Sequence, residues 1–178
     1  MSLNLVEAIR NRRSIRSFTN KQVMKRTIDK LINCANWAPS AGNRQAREFV
    51  VIRDNNTKKK LCKAALDQKF IEDAPVVIIV CANQERSALR YGERGRFLYC
   101  ILEAAAAVQN LLLAAHSFGL GACWIGAFND SKVKDVLKLP KYLKPIAIIP
   151  LGYSIEKPQP PTRLSENIIV HYEIYVAR

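Results

Sequence analysis

The run LYCILEAAAAVQNLLLAAHSFGLGACWIGAF at 98–128 decides how this chain is read. Its length and apolarity suit a bilayer span, but Glu103, Gln109, Asn110 and His116 interrupt it, and Gly119 and Gly121 break it. The reading it supports is a buried helix over about 94–118 followed by a buried strand at 122–125, and no membrane partner. Ala104 to Ala107, with Ala114 and Ala115, let a second helix approach closely, and Gly119 supplies the helix stop.

Outward from this run, helices and strands alternate. Residues 5–9 read as a short amphipathic helix leading into a basic cluster at 10–16. A helix over about 24–37 places Ile28, Leu31, Ile32 and Ala35 on one face; Pro39 stops it and residues 40–43 turn. A strand is expected at 49–52 and a lysine-rich surface helix at 57–66. The run VVIIVC at 76–81 is apolar without alternation, as in a strand covered on both faces. A helix over 130–137, capped by Asn129 or Asp130, and a strand at 145–151 complete the body. Beyond it, Pro158, Pro160 and Pro161 make 154–166 an extended arm, and the β-branched and aromatic residues of 168–176 predict a strand able to pair with a sheet in a partner chain. The expectation is a single α+β domain over 1–178, an α/β sandwich with an arm from about 154.

The formal net charge is +13, and residues 1–63 carry most of it, with 15 Lys and Arg against 4 Asp and Glu. Such a surface attracts polyanions, a phosphorylated cofactor or a dinucleotide; a solvated basic face is the other reading. The interleaved aromatics of a nucleic-acid groove are missing, so nucleic acid is not an expected partner. Five cysteines, without a C-x-x-C pair, point to neither a disulfide framework nor a zinc site, and no metal is expected. The start Met1-Ser2-Leu3-Asn4 shows no signal peptide, and a reduced cytoplasmic setting is expected.

Four motifs carry chemistry. Arg12, Arg13, Ser14 and Arg16 in RRSIR form a donor set for a phosphate. Pro39, Ser40, Ala41, Asn43 and Gln45 in PSAGNRQ combine a helix stop, a tight turn and side chains able to bond a polar ring edge; a plain surface loop is the alternative. In WIGAF at 124–128, Gly126 lets backbone amides approach a flat ligand. Arg163 lies in the arm. His116 and His171 stand beside no paired carboxylate and read as structural.

In this order, RRSIR, PSAGNRQ, GLGACWIGAF, PLGY and an arginine before IVHYE resemble the FMN-dependent nitroreductase family over about residues 5–175. The resemblance implies a nitroreductase-like fold, with a mixed, mainly antiparallel sheet between helices. It further implies a homodimer with exchanged arms and two flavin mononucleotides (FMN) at the interface. Arg12, Arg13 and Ser14 would meet the phosphate and ribityl chain, Arg16 the pyrimidine edge, and Arg163 the phosphate again. Pro39, Ser40, Ala41 and Asn43, with Gln45, would reach the flavin of the other subunit. Ile125 and Gly126 would offer an amide near flavin N5. The implied activity is hydride transfer from NADH or NADPH to a nitroaromatic, quinone or similar small acceptor by ping-pong kinetics, with no dedicated acid–base residue. A flavin carrier without turnover, a nucleic-acid-binding basic protein, and a specialised reductase or dehalogenase are the alternatives. The family often has a second basic residue before the arm arginine, where this chain has Pro161-Thr162, and the segment that shapes its substrate pocket shrinks here to about 84–96.

Overall fold

A computed structural model describes residues 4–177; the reading of the N-terminus rests partly on Met1, Ser2 and Leu3, which lie outside that range, as does Arg178 at the end of the arm. Strands β1 (Arg47–Ile52), β2 (Val76–Asn83), β3 (Gly121–Ala122) and β4 (Leu143–Gly152) form one sheet in the order β1-β2-β4-β3, with antiparallel neighbours throughout. A parallel bridge between Ser14 and Ala122 makes it mixed at its edge.

Strand β2 explains the three layers. Its residues alternate between the faces of the sheet, so an unbroken apolar run serves two cores at once. Val76, Ile78, Val80 and Ala82 join α2 (Lys25–Asn36) and α6 (Cys100–Ser117) in one core. Val77, Ile79 and Cys81 join Leu61, Ile71 and Val133 in the other. Those three come from α3 (Asn55–Ala64), α4 (Phe70–Asp73) and α7 (Asp130–Leu137). The predicted helices at the N-terminus (α1, Leu5–Asn11), α2, α3 and α7 stand close to their expected bounds, and Asn129 caps α7 through its side chain.

Of the polar residues that interrupt the 98–128 run, Gln109 is exposed and the other three have defined places. Glu103 accepts from the Ala46 amide, Asn110 donates to the Cys34 carbonyl on α2, and His116 faces a cleft described below. Gln84–Ser117 is long and apolar enough to cross a membrane, yet Ala104, Ala107, Val108, Leu111 and Ala115 of this stretch are fully buried in the first core.

Three expectations change. The long helix begins well before residue 94: α5 (Gln84–Arg94), capped by Asn83, leads through a break at Gly92 and a wide turn at Gly95–Tyr99 into α6. The segment expected to shape a pocket is thus helical. Its charged sequence shows no apolar stripe, and its two glycines read as breakers. The strand expected at 122–125 is a two-residue ladder, with Ile125 adding an isolated bridge to Ile148. The strand expected at 168–176 is absent; α8 (Glu166–Ile169) and irregular chain occupy it. Strand preference is realised through cross-strand neighbours, and this segment meets no sheet edge of its own chain.

Candidate functional site

The RRSIR segment leaves α1 as an extended chain laid along β3. The Ile15 amide donates to the Ala122 carbonyl at 3.0 Å and the Ile15 side chain is buried. Gly121 makes this approach possible, since a Cβ there would lie 2.7 Å from Ile15. The start of the arm fixes the other side, where one carboxylate oxygen of Glu156 accepts from the amides of Arg16 and Ser17.

Arg12 and Arg13 then line a cleft of about 400 Å³ with Leu112 and His116 of α6 on one wall and Ser154, Lys157 and Pro158 on another. That volume lies in the range of small-ligand sites, and the lining pairs apolar walls with a few cations. Arg13 donates through Nη1 to the carbonyls of Arg10 and Arg12, while its Nε is buried without a partner. A buried guanidinium donor left unpaired is a site for an anion. Burial pulls the Arg12 pKa below its ordinary value, opposed by Cys123 and reinforced by the charges of Arg13 and Arg163. Arg163, exposed on the arm, lies near enough for its charge to act on Arg12 but does not line the cleft. His116 is likewise lowered, first by burial and then by Arg12 and Arg13.

Ser14, Arg16, Ile125 and Gly126 do not line this cleft. The Ser14 hydroxyl reaches the Cys123 thiol, which burial pushes up in pKa and Arg16 and Ser14 draw back. Arg16 lies over the Phe70 ring, 5.9 Å from its centre. Ile125 is buried, and its amide donates to Ile148 at 3.0 Å, which leaves Gly126 as the member of that pair with a free amide among the described residues.

The PSAGNRQ loop stands elsewhere. Pro39, Ser40 and Ala41 line a second hollow of about 250 Å³ with Tyr99, Leu102 and Glu103, and no residue of it is shared with the basic cleft. Gly42, Asn43 and Gln45 all adopt left-handed backbone, at φ 51°, 53° and 50°. The Ser40 hydroxyl accepts from the Gln45 amide, and the Gln45 side chain donates to Asn43. From α5, Tyr91 and Arg90 close over Gly42, where a Cβ would meet the Tyr91 hydroxyl at 2.4 Å. Within one chain the structure keeps this loop apart from the arginines.

Glu156 and Lys157 line the cleft without having been singled out from sequence, and His116, read there as structural, lines it too. His116 had a legible signal, since it follows Leu112 by one turn of α6. Glu156 acts on backbone amides, which leaves no pattern in the sequence.

The three-layer α+β body carries a basic, apolar-walled cleft at the edge of its sheet, whose size and charge suit a small phosphorylated ligand. The model of the nitroreductase family matches residues 9–69 and 63–153, and the chain belongs to that family. A candidate NADH dehydrogenase/NAD(P)H nitroreductase of Methanothermobacter thermautotrophicus is 34% identical, over 88% of this chain and 80% of its own. An FMN reductase [NAD(P)H] of Bacillus subtilis is 29% identical, over 97% of this chain and 74% of its own. Among solved structures, the NADPH:FMN oxidoreductase of Vibrio harveyi, complexed with NAD+, superposes with a TM-score of 0.90 at 26% identity, covering 98% of this chain and 79% of that one.

Proposed function

We propose that the chain is an NAD(P)H-dependent flavin oxidoreductase that holds FMN and works as a homodimer. The observation that carries the reading is the buried Arg13 Nε, unpartnered among the described residues, in a cleft where Arg12 and Arg13 meet no free carboxylate of those residues. Glu156, the acid lining that cleft, is engaged by two amides. A phosphate satisfies both the orphan donor and the uncompensated charge. The relatives named for FMN and NAD(P)H support the choice of ligand and reductant.

In this reading Arg12, Arg13, Ser14 and Arg163 hold the phosphate and ribityl chain, and Arg16 stands toward the pyrimidine edge. The free Gly126 amide, presented by the buried Ile125, serves the N5 side. Pro39, Ser40, Ala41, Asn43 and Gln45 close the site of the other subunit, which accounts for their distance from the arginines of their own chain. FMN held there would supply the hydride chemistry between NADH or NADPH and a nitroaromatic, quinone or similar small acceptor, in a ping-pong cycle. His116 belongs to the phosphate end, so protons come from water.

The arm supports the dimer. From Lys157 to Ala177 none of its residues is buried, yet it carries Leu164, Ile168, Ile169, Tyr172, Ile174 and Tyr175, with Tyr172 85% exposed. An apolar strap of this kind needs a second surface, and a second copy supplies it by exchange. Residues 1–178 then form a single domain whose arm, from about 154, belongs to the partner's surface. Five free cysteines, four of them buried, suit a reducing cytoplasm. Steady-state rates with NADH or NADPH against menadione test the function. Parallel double-reciprocal lines are expected, and FMN-reconstituted protein that oxidises neither nucleotide refutes it.

A further inference from the structure

We propose that Glu103 and Arg47 are positioning residues, two buried polar side chains that hydrogen-bond the two ends of the PSAGNRQ loop and so set the environment of the flavin. This rests on the FMN reading above. Glu103 lies on the buried face of α6, 4% exposed, between the core positions Cys100 and Ala107. A carboxylate there is costly unless it is held. Its Oε2 accepts from the Ala46 amide at 2.8 Å, its Oε1 is buried without a partner among the described residues, and the residue lines the hollow formed with Pro39, Ser40 and Ala41. Arg47, 3% exposed, holds the other end. Its guanidinium donates to the Asn36 side chain at 3.3 Å and to the carbonyls of Asn36 and Ala38 at 2.5 and 3.0 Å.

The pair therefore grips the loop where it leaves α2 and where it enters β1. Between these grips three residues are held in left-handed backbone, two of them not glycine. Backbone of that kind relaxes unless its ends are over-determined. What each side chain supplies is a hydrogen bond to one end of the loop, from the Glu103 oxygen to the Ala46 amide and from the Arg47 guanidinium to the Asn36 and Ala38 carbonyls. Buried polar groups kept at these two points fit a requirement for loop geometry.

The test uses the full chain with Glu103→Gln, Glu103→Asp and Arg47→Lys. Gln keeps an oxygen for the Ala46 amide, Asp keeps the charge but is one methylene too short, and Lys keeps the charge but is shorter and has no counterpart of the Nε that donates to the Asn36 side chain. Read by fluorescence quenching, Asp and Lys should weaken FMN binding about tenfold or more, whereas Gln should stay within about threefold. The visible circular dichroism of the flavin that Asp and Lys retain should change, and that of Gln should not. Leu111→Ala serves as a control for general loosening of α6 and should leave the flavin dichroism as in the wild type. Wild-type affinity and dichroism in Asp and Lys overturn the proposal, as does a Leu111→Ala variant that reproduces their spectra. Either variant suffices should the other fail to fold. Wild-type protein that binds no FMN overturns the FMN reading and the proposal with it; wild-type binding with unaltered variants overturns the proposal alone.

Discussion

Replacing Arg12 by Ala separates a binding role from a structural one, because the two predict opposite signs. With phosphate in the cleft, Arg12 contributes a charge-assisted hydrogen bond of about 1.5–3 kcal/mol. At a factor of ten per 1.4 kcal/mol, FMN affinity should fall about 10- to 150-fold. In the flavin-free protein the same guanidinium is a burden: it is partly desolvated, it is repelled by Arg13 and Arg163, and no carboxylate among the described residues pairs with it. Its removal should leave the flavin-free melting point unchanged or higher. Titration of FMN fluorescence at fixed low ionic strength gives the affinity, and a urea melt of the flavin-free protein gives the stability. The loss should shrink as salt rises, since screening weakens the charge term. A variant that binds FMN as the wild type does, or that loses affinity only in proportion to lost stability, refutes the reasoning.

Gly126→Ala isolates the flat-ligand surface: a Cβ there meets nothing nearer than Trp124 Nε1 at 4.0 Å, so melting should not change. FMN affinity or turnover should fall, and a fully active variant would remove Gly126 from the site. Arg16→Ala should make the bound flavin's two-electron potential more negative by about 20 mV, the equivalent of about 1 kcal/mol for one partly screened cation. Dye-equilibration potentiometry of the holoprotein reads this, and an equal or higher potential counts against Arg16 at the pyrimidine edge. His116 has a folded pKa below its ordinary 6.5, so below about pH 6.5 the unfolded chain binds the extra proton more readily. The flavin-free protein should therefore be fully stable with respect to this group above that pH and lose stability as pH falls through the folded value. His116→Gln should flatten the loss in urea midpoint between about pH 7.5 and about pH 5.5, and an identical slope in both proteins refutes it.

The layered body was legible because its signals are local and periodic. The unalternating run at 76–81 told of a doubly covered strand, and both cores meet on it. The spacing of Ile28, Leu31 and Ala35 placed α2, and those residues are buried. α5 was not legible, because its fixing contacts are made by charged side chains over distance. Arg86 donates to the Gln45 carbonyl and pairs with Glu48, neither of which has helical spacing to it. The arm misled for a different reason, since strand propensity describes what a segment does when a sheet edge is offered.

The site divides in the same way. Arg12 and Arg13 could be read because closely spaced guanidiniums are an uncommon donor set, and they do line the cleft. The Ile125 amide could not be judged, because its bond to Ile148 depends on the register of β4. Glu103 looked like an interruption of an apolar helix. Its bond to Ala46, more than fifty positions away in the chain, gives it a purpose.

The visible absorption spectrum of the purified protein, before and after NADH or NADPH is added without oxygen, tests the central claim most directly. The account predicts the bands of oxidised flavin, retained through gel filtration or restored by added FMN, and their bleaching by at least one of the two nucleotides. A colourless protein that takes up no FMN, or a bound flavin that neither nucleotide bleaches, would contradict it.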